Sequence, residues 1–164
     1  MSIEDFRKAA ATKDIDLALS ALTDDVVLRS PLTDRFTFNG KDDVGALFEI
    51  AFAHFDGLNY HTEIGDGDRR VLVGGATANG QPFEETLLLR LDNDKIAEIT
   101  LFIRPLPGLT AVMAALGPRL ARRNGRGKLT AGALRVMAAP LAAMTRSGDK
   151  VGIRMALPKG RVLP

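Results

Sequence analysis

The stretch from Asn59 to Ile103, NYHTEIGDGDRRVLVGGATANGQPFEETLLLRLDNDKIAEITLFI in one-letter code, contains the punctuation of an antiparallel sheet. Asn59 to Ile64 reads as a strand, Gly65-Asp66-Gly67-Asp68 as a turn, and Arg69 to Ala78 as a second strand. Asn79-Gly80 is a strong two-residue hairpin signal, because both of its residues tolerate positive φ. Pro82 to Leu91 is a third strand, Asp92-Asn93-Asp94 a turn, and Lys95 to Ile103 the last strand. Strands linked by turns this short must run antiparallel, since a parallel pair needs a crossover of a dozen or more residues.

Before this stretch the period changes from two to about three and a half. Ile3, Phe6 and Ala10, then Ile15, Leu17, Ala18, Ala21 and Leu22, recur at helical spacing, and Asp14 is placed to cap the second helix. Asp24-Asp25 reads as a turn, followed by a strand over Val26 to Ser30 that Pro31 ends. Past the extended Phe36-Thr37-Phe38, Asn39-Gly40 turns the chain into a third helix, on which Val44, Leu47, Phe48, Ala51, Phe52 and Phe55 share one stripe. Helices first and hairpins afterwards define an α+β fold, in which a curved antiparallel sheet wraps round three N-terminal helices.

Charge divides the 164 residues unequally. Residues 1 to 104 carry 11 basic and 19 acidic side chains, whereas residues 105 to 164 carry 11 basic side chains and only Asp149. All nine aromatic residues lie between Phe6 and Phe102. The second part is a basic, Ala/Leu-rich extension with two amphipathic stripes. Leu109, Val112, Met113, Leu116 and Leu120 form the first, broken or kinked at Gly117-Pro118. Leu129, Ala133, Val136, Met137, Leu141 and Met144 form the second, with Pro140 as a kink. A short strand is expected from the alternation over Val151 to Leu157. The domain division that follows is 1–122 for the body and 123–164 for the extension. The extension is expected to pack on the acidic body or on a second subunit. Any contact with nucleic acid or an anionic membrane surface would fall within residues 119 to 161.

Composition also excludes chemistry. Without cysteine there is no thiolate zinc site, iron–sulfur cluster or thiol nucleophile. Its absence fits a reducing compartment, and with an acidic N-terminus unlike a secretory signal the expected location is cytoplasmic. Gly125 to Thr130 lacks phosphate-loop spacing, Asp66 and Asp68 lack a calcium-loop pattern, and no Gly-x-Ser-x-Gly elbow occurs. His54 and His61, the only histidines, have no third ligand at a useful spacing. Neither a metal nor an organic cofactor is expected.

The run from Lys13 to Pro31, KDIDLALSALTDDVVLRSP, together with Gly40 to Phe48 and Asp92 to Ile99, resembles the nuclear transport factor 2-like superfamily, in its SnoaL-like and ketosteroid-isomerase-like branch. The resemblance spans residues 1 to about 122 and implies a cone-shaped pocket that many unrelated functions share. It transfers few functional residues. The general base of the ketosteroid isomerases falls on Ser30, their oxyanion-hole tyrosine on Phe6 and their second oxyanion donor near Leu87. The essential aspartate of the polyketide cyclases and limonene-type epoxide hydrolases falls on Leu101.

The expected function is therefore the binding of a small hydrophobic molecule, by a homodimer formed through the exposed sheet face. The pocket would be lined by Phe6, Val26, Leu28, Ser30, Phe48, Phe52, Leu87, Leu89 and Phe102, with Arg104 near its mouth. Whether chemistry occurs is left open. If it does, it is cofactor-free acid–base chemistry of the isomerase, cyclase or hydrolase kind, with His61 or one of Glu84 and Glu85 as base and Ser30 or Arg104 as oxyanion donor. Alternation on the third strand allows one of the two glutamates to point inward. The other expectation is a non-catalytic dimerisation or sensing module whose basic tail engages a partner.

Overall fold

A computed structural model of the chain describes residues 2–125 and 127–152, together with Met155 and Pro158. Helices α1 (Ser2–Thr12) and α2 (Ile15–Ser20) open the chain. Asp14 caps α2 by accepting a hydrogen bond from the Leu17 N–H at 2.9 Å. Strand β1 (Leu22–Arg29) then leads through β2 (Phe38–Asn39) into α3 (Gly40–His54). Four strands follow, β3 (Phe55–Ile64), β4 (Arg69–Ala78), β5 (Gln81–Asp92) and β6 (Lys95–Arg104), and then α4 (Leu106–Arg123) and α5 (Lys128–Ser147).

Asp24-Asp25 does not end a strand. It sits inside β1, where three residues more than on β6 are accommodated between Leu22 and Val27. The irregularity pushes Asp24 into solvent, where its carboxylate meets Lys41 at 2.8 Å and the cation holds its pKa below the ordinary value. The six strands lie in the order β2-β1-β6-β5-β4-β3. One pair departs from the antiparallel expectation: β1 runs parallel to β6. The whole of α3 and four strands, β2 to β5, separate the two in the chain, which is ample length for the crossover that a parallel pair requires.

The sheet curls because two extra residues are built into β3. One falls between Asp56 and Asn59, where Gly57 takes a φ of +68°, and the other at His61, between Tyr60 and Thr62. Each bulge bends its strand and increases the local twist. The concave face closes over α1 and α3, and Phe6, Leu22, Leu28, Leu72, Leu89, Ile96 and Ile99 are fully buried there.

The first stripe, which falls within residues 1–122, belongs to the core. Ala111, Val112, Ala115 and Leu116 of α4 are buried against it, and the helix begins at Leu106, ahead of Leu109, the first residue of the stripe. Pro118 lies inside α4 without ending it. The second stripe behaves otherwise. Helix α5 touches α4 through buried Ala138 and Ala142 and a 2.7 Å hydrogen bond between the Thr110 and Thr145 hydroxyls. Leu129, Val136, Met137 and Met144 remain largely exposed, so the expected packing of this stripe on the body is not observed. Gly148–Gly152 forms a π-type turn, and the rest of the strand expected to Leu157 lies outside the described residues, apart from Met155, which is helical. Among the described residues no helix is long and apolar enough to cross a membrane.

Candidate functional site

Between the concave sheet face, α1, α3 and α4 lies a cavity of about 360 Å³. Its size is at the lower end of the range for small-molecule sites. Phe6, Leu28, Phe48, Phe52, Leu58, Leu87, Ile99 and Leu116 supply apolar wall, and Leu134 of α5 closes part of it. Phe48 stacks on Phe52 with ring centroids 6.0 Å apart, and Phe6 packs against Phe48 at 5.6 Å. Ser30, Thr33, Tyr60 and Glu85 are the four lining residues with polar side chains.

Tyr60 and Glu85 form one unit. The Tyr60 hydroxyl donates to Glu85 Oε1 at 2.5 Å, and both residues are buried. The register explains how strands that are not neighbours can share this bond. Tyr60 on β3 lies opposite Gly74 on β4, and Gly74 lies opposite Glu85 on β5. Two strand spacings separate Tyr60 and Glu85 by roughly 10 Å of backbone, which a tyrosine can span only if the position between them is empty. A Cβ on Gly74 would stand 2.6 Å from Tyr60 Cδ1 and 2.5 Å from the Asn59 carbonyl oxygen, so glycine is what leaves the path clear. The backbone of Tyr60 is held as well. The guanidinium of Arg7, on α1, donates to the Tyr60 carbonyl from Nε at 3.2 Å and Nη2 at 3.0 Å, beside the bulge at His61.

Burial decides the protonation of the pair. Desolvation raises the Glu85 carboxyl from 4.5 to about 7, although the Tyr60 hydrogen bond favours the ionised form and opposes the rise. Tyr60 is pushed well above its ordinary value by burial first and by the neighbouring carboxylate second. Near neutral pH, Tyr60 is therefore a fixed donor, while Glu85 lies close to half-protonation. In that state its free oxygen can either donate a proton or accept one, which is the condition for acid–base work at pH 7.

The expected site residues divide across the sheet. Phe6, Leu28, Ser30, Phe48, Phe52, Leu87 and Glu85 line the cavity. Val26 and Leu89 are buried in the core and are not among its lining residues. His61, Glu84, Phe102 and Arg104 do not reach it either. His61 occupies the β3 bulge and is exposed, with Thr62 as its hydrogen-bond partner at 2.8 Å. Glu84 points outward, as alternation requires once Glu85 points in, and pairs with Arg104 at 3.2 Å. Phe102 is 54% exposed on the same outer face. It lines an outer groove with Arg29 and Ser30, the latter shared with the cavity. His54 sits half-buried at the end of α3, and burial, followed by the charges of Arg119 and Lys13, lowers its pKa. Tyr60 was not anticipated, although it is the chain's single tyrosine and Gly74-Gly75 in mid-strand is a recognised sign of close approach.

The architecture is therefore α+β, with a curved six-stranded sheet and helices enclosing a cavity. Residues 3–99 match the model of the SnoaL-like domain, and the chain belongs to that family. A steroid delta-isomerase from Pseudomonas aeruginosa superposes with a TM-score of 0.67 at 24% identity, over 76% of this chain and 92% of that one. A Silicibacter pomeroyi protein with a cystatin-like fold gives a TM-score of 0.67 at 22% identity, over 72% and 84%. An NTF2-like protein of unknown function from Cytophaga hutchinsonii gives 0.54 at 18%, over 64% and 88%. At these identities the likeness is one of fold. No curated protein matches the sequence.

Proposed function

We propose that the chain binds a small, predominantly apolar molecule carrying one hydrogen-bonding oxygen, and that Glu85 exchanges a proton with it while Tyr60 holds Glu85 in place. The reading is carried by the Tyr60–Glu85 pair, buried in a predominantly apolar wall. Apolar surface supplies affinity for the hydrocarbon part of the ligand, and the pair selects its orientation. Because the chain has one tyrosine and no tryptophan, tyrosine emission reports this site alone. Neutral polycyclic ketones are expected to change that emission and to exchange their α-protons for solvent deuterium, with a rate that titrates near pH 7. Glu85→Gln should retain binding to within about tenfold and abolish the exchange. No change of emission with any apolar compound that fits the cavity would sink the binding reading. Undiminished exchange in Glu85→Gln would sink the role of Glu85.

A second proposal concerns assembly. Val71, Val73, Leu88 and Phe102, with Thr86 and Thr100 among them, form a largely apolar band on the outer sheet face. It lies between the ion pairs of Arg29 and Arg90 with Glu98 on one side and of Arg104 with Glu84 on the other. We propose that a second copy covers this band, as a polar rim around an apolar centre favours. Phe102→Glu is then expected to sediment as a monomer while wild type sediments as a dimer. A wild-type monomer at micromolar concentration would refute the proposal.

A further inference from the structure

Opposite the cavity, on the far face of α4, a second pocket of about 150 Å³ is lined by Asn79, Ala114, Pro118, Arg119, Arg122 and Arg135. Three elements meet there: the tip of the β4–β5 hairpin, the second half of α4 and the first half of α5. The pocket carries three guanidinium groups and no carboxylate.

Such a cluster is electrostatically costly unless something negative offsets it. Arginine on a protein surface ordinarily pairs with a carboxylate, and the acidic body offers 19 of them. Arg123 of the same helix has such a partner in Glu49, but no carboxylate lines this pocket. Among the described residues, Arg119, Arg122 and Arg135 form no ion pair with any acid. Arg119 is half-buried and anchored, because its Nη1 donates to the Ala115 carbonyl at 2.6 Å. A guanidinium has five N–H groups, so the anchor leaves donors free for the pocket. The positive potential is felt nearby, since Arg119 contributes, after burial, to holding His54 below its ordinary pKa.

We infer that this pocket binds a phosphate-type oxyanion, gripped by Arg119, Arg122 and Arg135 beside Asn79 of the hairpin tip. A monocarboxylate would neutralise only one of the three cations. A phosphate carries up to two negative charges and presents several oxygens, which suit guanidinium forks approaching from two helices. The volume is enough for one phosphate or for the terminal phosphate of a larger ester, and too small for a cofactor of nucleotide size. Two sources share this chemistry: a soluble phosphate ester and the headgroup of an anionic phospholipid.

The test uses the full chain. Binding of inorganic phosphate and pyrophosphate is measured by titration calorimetry. Co-sedimentation is measured with phosphatidylcholine vesicles prepared with and without phosphatidylglycerol. Arg122→Gln/Arg135→Gln removes two exposed cations of the pocket, and Arg123→Gln removes a cation of α4 that lies outside it. The inference expects the double variant to weaken anion binding by about tenfold or more, and Arg123→Gln by about twofold or less. If pyrophosphate binds with this pattern and vesicles do not, a soluble ester is the ligand. If only vesicles containing phosphatidylglycerol bind with this pattern, a headgroup is. Absence of binding to both the soluble anions and the vesicles, or equal losses in the double variant and Arg123→Gln, overturns the inference.

Discussion

Gly74→Ala is expected to destabilise the protein by about 3 kcal/mol, although alanine outside such a site is favoured over glycine in regular structure by up to about 1 kcal/mol. The added Cβ would stand 2.5 Å from the Asn59 carbonyl oxygen and 2.6 Å from Tyr60 Cδ1. The first of these is backbone in a paired strand and cannot turn aside. The tyrosine ring must then move, and its hydroxyl leaves Glu85 buried without its partner, which adds a desolvation cost of about 1–3 kcal/mol. Overpacking and the lost hydrogen bond act in the same direction and outweigh the conformational gain. Urea unfolding measures the loss, and the near-ultraviolet dichroism of the lone tyrosine follows the ring. A cost below about 1 kcal/mol with an unchanged tyrosine signal would show that Tyr60 does not need the empty position.

The second large effect is a fall in stability with rising pH. Folded Glu85 keeps its proton up to about pH 7, whereas the unfolded chain releases it near 4.5. Between those values the folded state holds more protons, so its advantage is complete below pH 4.5 and is lost as pH rises through 7. The shift corresponds to about 3 kcal/mol. Other groups act differently. Burial, followed by Arg119 and Lys13, lowers the pKa of His54, so neutral His54 favours the folded state and that contribution is lost as pH falls below its ordinary 6.5. Glu98, held down by hydrogen bonds from Arg90 and Arg29, and Asp24, held down by Lys41, contribute above their ordinary values of 4.5 and 3.8 and lose that contribution at lower pH. Subtracting the profile of Glu85→Gln from that of wild type isolates the carboxyl. The difference should favour wild type increasingly as pH falls from 8 to about 5. A flat difference would mean that Glu85 is ionised when folded.

The fold was largely legible because its punctuation is local. Asn79-Gly80 and Asn93-Asp94 take the positive φ values that their hairpin turns require, and these are properties of a few consecutive residues. The amphipathic stripes of α3 and α4 are local in the same sense. The parallel pairing of β1 with β6 was not legible, because nothing in either strand encodes a partner some 70 residues away. The difference in packing between the two apolar stripes also escaped reading. Each has the apolar spacing of a buried helix face, yet only α4 meets the sheet, and α5 reaches α4 through the small side chains of Ala138 and Ala142.

The candidate site was legible by residue type and less so by direction. Strand alternation established that Glu84 and Glu85 face opposite ways, but which of them faces the core depends on how β5 is seated between β4 and β6. His61 looked like a base because histidine titrates near neutrality. The bulge at that position turns it to solvent and leaves Tyr60 pointing inward.

Composition and period alone determined an α+β chain without cysteine chemistry, with an acidic aromatic body and a basic extension, because counts and spacings do not depend on what packs against what. Only the tertiary structure decided where the chemistry lies. Burial gives Glu85 a pKa of about 7, and Tyr60 meets it across the space above Gly74. The closeness of the three arginines likewise comes from α4 and α5 lying side by side at the hairpin tip. In both places the decisive quantities are a distance and a degree of desolvation between residues remote in the chain, and these exist only once the chain has folded.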